Sequence, residues 1–266
     1  MARSRLFLRI MMFFMGLMFT AMIALYAWIR NEVLRKPLDP SRLAALCYGT
    51  VARSLGFRPR TRGKPADGPV LYISNHISWS DIPILGGAAP LCFLSKAEVR
   101  RWPLIGWLAE QAGTLFIQRG QGRSGQARKE ISAALARGQS VLVFPEATTS
   151  SGLTVLDFHD RLIHAAVDAG VPIQPISIGY LREGRPDHIA PFIGDDEFQN
   201  HIVRLLGQPL PEVAILWHDP VTISSHEEVA AATDELRTTI KSGLEQIQLG
   251  QIDAAEVRGS RRAASF

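Results

Sequence analysis

Hydrophobic positions are densest at the start of the chain, where residues 10–29 form an uncharged run of 20 residues. As a helix rising about 1.5 Å per residue this run is roughly 30 Å long, the thickness of a bilayer's hydrocarbon core. Tyr26 and Trp28 stand at its C-terminal end, the headgroup level that amphipathic aromatics favour. Arg3, Arg5 and Arg9 would also serve as the n-region of a signal peptide, but the run is longer than a usual h-region and no A-x-A-like site follows it. The expectation is an uncleaved membrane helix.

Helical and strand periods take over further along. Asp39-Pro40-Ser41 offers an N-cap with Pro at the first helical position. Leu43, Ala44, Leu46, Cys47, Val51 and Leu55 recur at helical spacing, and Gly56 closes the helix. This element is read either as packed on the domain or as an amphipathic helix lying along the membrane. The basic cluster Arg58, Arg60, Arg62 and Lys64 suits anionic headgroups or a solvated loop.

Short apolar or β-branched runs bounded by turn residues predict strands at 70–74, 91–94, 114–118, 140–144, 173–178 and 213–217. Helical patterns lie between them. Ser124 can cap a helix whose Ala127, Ile131, Ala134 and Leu135 share a face and which Gly138 ends. Others are expected over 158–169, closed by Gly170, and over 227–247. The alternation predicts an α/β fold with a mainly parallel central sheet flanked by helices, preceded by the membrane helix and the amphipathic helix. The expected division is 1–36 membrane anchor, 37–64 amphipathic helix and basic linker, 65–250 globular domain, and 251–266 flexible tail.

Charge sharpens this division. The net charge of +4 is accounted for by Arg3, Arg5, Arg9 and Arg30, because residues 1–30 contain no acid and the rest of the chain is balanced. Once that excess is assigned to the anchor, nothing supports nucleic-acid binding. Cys47 and Cys92 lack C-x-x-C spacing, so no structural zinc, other metal site or disulfide framework is expected.

An α/β sheet carries its functional loops beyond the carboxyl ends of its strands. After the first expected strand comes Asn75-His76-Ile77-Ser78-Trp79-Ser80-Asp81. If this loop folds into a turn of helix, the Asp81 carboxylate reaches one imidazole nitrogen of His76 and frees the other to take a proton. A histidine capping a helix start is the plainer reading. The loop after the strand at 140–144 reads Phe144-Pro145-Glu146-Ala147-Thr148-Thr149-Ser150 and crowds a carboxylate and hydroxyls at a strand end. Arg119 follows the strand at 114–118 and is placed at the same edge, where a guanidinium suits an anionic headgroup, although a lone Arg at a strand end is more often a surface charge.

Together these residues resemble the glycerolipid acyltransferase family, the lysophospholipid acyltransferases typified by 1-acyl-sn-glycerol-3-phosphate acyltransferase. Asn75-His76 with Asp81 resembles its N-H-x-x-x-x-D block, and Phe116 with Arg119 its F-x-x-R block. Phe144-Pro145-Glu146 resembles its F-P-E-G block, and Val171-Pro172-Ile173-Gln174-Pro175 its V-P-I-x-P block. The resemblance implies a membrane-bound O-acyltransferase of phospholipid biosynthesis. His76 would deprotonate a lysolipid hydroxyl as it attacks an acyl thioester, with Asp81 orienting the imidazole. Asn75, Arg119, Glu146, Thr148 and Thr149 would bind substrate. The acyl donor would be acyl-CoA or acyl carrier protein, with no cofactor beyond it. The implied location is a bacterial inner membrane with the domain cytoplasmic. The absence of a G-x-S-x-G elbow agrees with direct transfer that needs no protein nucleophile.

Two departures bear on the acceptor. Lysophosphatidate enzymes commonly have Arg where this chain has Thr149, and often an acid at Gln118. Lysophosphatidate, giving phosphatidate, is the first expected acceptor; lyso-ornithine lipid, used by related bacterial enzymes, is the alternative. Ala147 replaces the family's usual Gly, so positive φ is not expected there.

Two readings from other classes compete with this one. Gly120-Gln121-Gly122-Arg123-Ser124-Gly125 fits a dinucleotide fingerprint, but Gln118 and Arg119 occupy the tight turn where small or apolar residues belong. A non-catalytic, membrane-tethered lipid-binding protein on the same fold would be favoured if His76 or Asp81 were missing. Both are present.

Overall fold

The computed structural model describes residues 2–35, 40–117 and 124–252. Helix α1 (Ala2–Trp28) continues into a π-helical turn over Ile29–Val33, so the apolar run is helical and takes in the leading arginines. Over Arg3–Val33 it is long and apolar enough to cross a membrane by length and composition. One side of it nevertheless lies on the domain. Leu6, Ile10 and Phe13 pack against the core, and Leu17, Thr20, Ala24 and Ala27 extend the buried stripe at helical spacing. The Arg9 guanidinium donates to the carbonyl of Leu206 at 2.8 Å. The other side exposes Phe7, Met11, Phe14, Met15, Met18 and Met22.

Helix α2 (Pro40–Leu55) is the packed element of the two readings: Ala44, Ala52 and Leu55 are buried. It crosses α1 closely at Gly16, where a Cβ would lie 2.5 Å from Ser54 Oγ. Gly56 ends it at φ +100°. The expected cap, Asp39, lies outside the described residues.

The basic cluster differs from its expected role as a linker. Arg60–Arg62 forms strand β1, which pairs in parallel with β8 (Glu212–Trp217) at the sheet margin. Its charges have partners within the chain: Arg60 meets Glu212 at 2.6 Å, and Arg62 donates to Gln246 Oε1 at 2.7 Å. Arg58 donates to the carbonyls of Arg53 and Phe57.

The expected strands form as β2 (Leu71–Ser74), β3 (Cys92–Lys96), β4 (Leu115–Ile117), β5 (Val141–Val143), β6 (Ile173–Arg182) and β8. Strand β6 outruns its expected end because it turns into a short hairpin with β7 (Arg185–Pro186) and pairs antiparallel with β8. The order is β1-β8-β6-β2-β5-β3-β4, and the other pairings are parallel.

Side chains alternate across the pleat and pack on both faces of the sheet. Tyr72, Leu142, Ile176 and Ile178 face α2, α3 (Asp81–Gly86) and α7 (Phe198–Gly207). Leu71, Ile73, Val141 and Val143 face α5 (Ser124–Ala136), α6 (His164–Ala169) and α8 (Val229–Gln248). The helix expected over 158–169 is shortened to a 3-10 turn at Asp160–Leu162 followed by α6, since the His159 N–H is tied to the Pro145 carbonyl at 3.0 Å. Helices α3 and α4 (Ile105–Gln111), of six and seven residues, and α7, whose Phe198, Ile202, Leu205 and Leu206 share one face over only ten residues, are additional to the expected elements. The tail beyond residue 252 lies outside the described residues.

Candidate active site

Strands β2 and β5 are adjacent and parallel, with Leu71 opposite Val141 and Ile73 opposite Val143. Their carboxyl ends are therefore level, and the loops beginning at Asn75 and Phe144 leave the sheet side by side, where such folds place ligands. This register brings His76 and Glu146 together across 70 residues: Glu146 Oε1 accepts the His76 backbone N–H at 2.7 Å.

The loop after β2 folds as the spacing requires. Asp81 opens α3, and its carboxylate turns back to accept the N–H groups of Ile77 at 2.7 Å and Ser78 at 3.0 Å. The same oxygen, Oδ2, lies 2.8 Å from His76 Nδ1. Asp81 is fully buried, whereas the His76 side chain keeps 17% of its surface exposed. With Asp81 ionised, Nδ1 carries the hydrogen and Nε2 has a lone pair to accept a proton. One imidazole face stacks on Phe144, with centroids 3.9 Å apart and planes 12° from parallel. Hydrogen bond and stack together restrict the ring's rotation.

The other expected site residues fall into different places. Asn75 is wholly buried, and its side chain serves as a piece of strand: Nδ2 donates to the Ile178 carbonyl and Oδ1 accepts the Ile178 N–H, both at 2.9 Å. Asn75 was expected to touch substrate, but here both amide ends bond to β6. Glu146 is 4% exposed and binds two backbone N–H groups, those of His76 and, at 2.9 Å, Leu156. Burial pushes its carboxyl up from the usual range, against the lowering effect of those donors. Its carboxylate ties the loop after β5 to the loop after β2 instead of facing outward as a headgroup ligand.

Thr149 is half-buried and donates its hydroxyl to the Phe192 carbonyl, while Thr148 is exposed. Arg119 and the glycine fingerprint from Gly120 to Arg123 lie outside the described residues. The last described residue before them, Ile117, ends β4, three strand spacings from β2 or roughly 14 Å at about 4.8 Å per strand.

Ala147 overturns its expectation. It sits at φ +57°, in the left-handed region. The turn demands this: the Ala147 N–H bonds the Phe144 carbonyl at 3.0 Å, and the chain must then reverse so that the Ser150 N–H reaches the His76 carbonyl at 2.7 Å. The loop keeps the geometry that a glycine would take more easily.

Two further contacts were not anticipated. The Phe192 N–H bonds the Ile77 carbonyl at 2.9 Å, bringing the segment before α7 to the loop that carries His76. Trp79 Nε1–H donates to Nδ1 of the buried His201 at 2.9 Å, and burial lowers the His201 pKa, keeping that ring neutral. Both join residues more than a hundred apart, which no local motif signals.

An imidazole whose Nδ1 is held by a buried carboxylate, leaving Nε2 to accept a proton, fits general-base transfer to a hydroxyl. Residues 57–179 match the Acyltransferase family. A lyso-ornithine lipid O-acyltransferase of Pseudomonas aeruginosa is 40% identical, over 99% of this chain and 100% of its own. A 1-acyl-sn-glycerol-3-phosphate acyltransferase of Neisseria gonorrhoeae is 30% identical over 68% of this chain and 72% of its own. The crystal structure of the 1-acyl-sn-glycerophosphate (LPA) acyltransferase PlsC from Thermotoga maritima has the same fold, with a TM-score of 0.67 at 21% identity over 93% of this chain and 98% of that one. The chain belongs to the acyltransferase family whose members include these lysolipid O-acyltransferases, and it is an acyltransferase.

Proposed function

We propose that this acyltransferase moves a fatty acyl group from an acyl thioester to the free hydroxyl of lyso-ornithine lipid. The reading rests on position 149, where Thr stands in place of the arginine that lysophosphatidate enzymes commonly carry, and its hydroxyl is spent on the Phe192 carbonyl. The similarity to the Pseudomonas enzyme along the whole chain supports the same acceptor. This puts lyso-ornithine lipid ahead of lysophosphatidate, the acceptor first expected from sequence.

In the reaction, His76 Nε2 takes the proton of the acceptor hydroxyl as its oxygen attacks the thioester carbonyl. The tetrahedral intermediate collapses with loss of the thiolate, which recovers that proton from His76. A C–S bond breaks, an ester C–O bond forms, and the base returns to its starting state. Coenzyme A or acyl carrier protein is the thiol carrier.

The anchor fits substrates that live in a bilayer. A helix held along its length by the domain and apolar on its free side lies in one leaflet instead of crossing both. Since the thioester donors are cytoplasmic, the domain faces the cytoplasm on a bacterial inner membrane.

Turnover of lyso-ornithine lipid and lysophosphatidate by one preparation, with the same acyl donor, tests the acceptor. Faster turnover of lyso-ornithine lipid is expected; a clear preference for lysophosphatidate would overturn the reading.

A further inference from the structure

Asp81 divides its two oxygens between separate tasks. Oδ2 serves the His76 ring and the loop N–H groups, while Oδ1 accepts the hydroxyl of Tyr180 at 2.5 Å. Tyr180 stands on β6, 99 residues away in sequence, and is 4% exposed. Its oxygen is also 2.9 Å from Ser80 Oγ. Tyrosine has a single hydroxyl hydrogen, and an ionised Asp81 can only accept. The Tyr180 hydrogen therefore goes to Asp81, and Ser80, itself fully buried, supplies the hydrogen between the two hydroxyls. The result is a directed chain from Ser80 to Tyr180 to Asp81, which holds His76.

Resting on the acyl-transfer reading, we propose that Tyr180 is a positioning residue for the reaction: its hydroxyl fixes the Asp81 carboxylate, and thereby the His76 ring, during proton transfer. Packing alone does not require a hydroxyl at this place, because the Tyr180 ring belongs to the apolar core between the sheet and α2, α3 and α7. A phenylalanine ring would fill that space, but it would leave a fully buried carboxylate oxygen without its donor. The hydroxyl stays protonated at working pH, since burial and the neighbouring Asp81 raise Tyr180 well above its ordinary value.

Among the described residues, the charges around Tyr180 are few. Glu146 reaches the site through the His76 backbone. Asp187, from the loop after β7, is paired with Arg182 at 2.5 Å on the same strand as Tyr180. From α7, His201 faces Trp79 and not the chain of hydroxyls. Asp81 is thus the charge that the Tyr180 hydroxyl acts on.

The test compares Tyr180→Phe, Ser80→Ala and His76→Ala in the full-length protein, with kcat, KM and the pH dependence of kcat/KM as readouts. Tyr180→Phe is expected to lower kcat about tenfold, the scale of one hydrogen bond to a charged group, with both KM values unchanged. Its acid limb should move to higher pH, because an Asp81 relieved of its donor favours the protonated imidazole. Ser80→Ala should shift both readouts the same way by a smaller factor, and it decides the matter if Tyr180→Phe does not fold. Wild-type kcat and an unmoved acid limb in the folded variants, with His76→Ala inactive, would overturn the Tyr180 role alone. Activity surviving in His76→Ala would instead overturn the base reading on which it rests.

Discussion

The Glu146 carboxylate accepts the backbone N–H of His76 at 2.7 Å while its second oxygen accepts that of Leu156 at 2.9 Å. If His76 is the base proposed above, a buried acid that clamps its backbone acts on catalysis through position. Glu146→Gln sets an amide N–H against one of the two backbone N–H donors, so that bond is lost and two donors face each other. The expected result is a fall in kcat of about tenfold or more, with the acceptor KM little changed. A raised acceptor KM at unchanged kcat would return Glu146 to the headgroup-binding role first expected for it.

Removing the imidazole tests the chemistry directly. His76→Ala should reduce acyl transfer by at least about a hundredfold, the lower end for loss of a general base. Asp81 keeps its bonds to Ile77, Ser78 and Tyr180, so the variant should stay folded. Near wild-type turnover, with a melting temperature matching the parent, would contradict the assignment.

Ala147, at φ +57°, carries a Cβ in backbone space that glycine enters without penalty. Ala147→Gly relieves about 1 kcal/mol of that strain, offset in part by the freer unfolded chain. The expected outcome in a urea titration is a higher midpoint with an unchanged slope; a lower midpoint would show that the turn tolerates alanine without strain.

His218 makes stability depend on pH. Burial, with Arg62 adding to it, lowers its pKa from 6.5 to about 4. Its Nε2–H donates to Ser177 Oγ at 2.8 Å, while the Ser177 hydroxyl donates to the Ile240 carbonyl, tying β6 to α8. The unfolded chain protonates first, so this contribution is complete above pH 6.5 and is lost as pH falls from 6.5 towards about 4. The melting temperature should drop through that window. In His218→Gln the drop should be shallower, and an identical pH profile would remove His218 from the account.

The disposition of α1 can be read by labelling. With Cys47 changed to serine, Arg3→Cys and Glu32→Cys place thiols near the two ends of the helix. In the one-leaflet arrangement, a membrane-impermeant maleimide added outside intact spheroplasts labels neither site, and both react after lysis. Labelling of one end from outside would show that the helix crosses.

Local features were legible because their causes are local. The apolar runs of β2, β5 and β6 mark buried strands, and His76 and Asp81 lie five residues apart, close enough for one loop and a helix start to join them. Gly56 and Gly138 end their helices at positive φ as their positions suggested. The family blocks identified the reaction class from the same short stretches.

What the tertiary structure decided is which side chains face the substrate edge and which hold it in place. Asn75 and Glu146 carry the same residue types in either role. Only the pairing of β2 with β5 and β6 turns their polar ends onto the backbones of Ile178, His76 and Leu156. Tyr180 reaches Asp81 through that pairing as well, across a sequence separation that periodicity does not encode. The same holds for α1. A run that is apolar all round says that the helix leaves water, but not which face meets protein and which meets lipid. That choice comes from the surfaces of α2 and α7 against which Gly16 and Arg9 are seated.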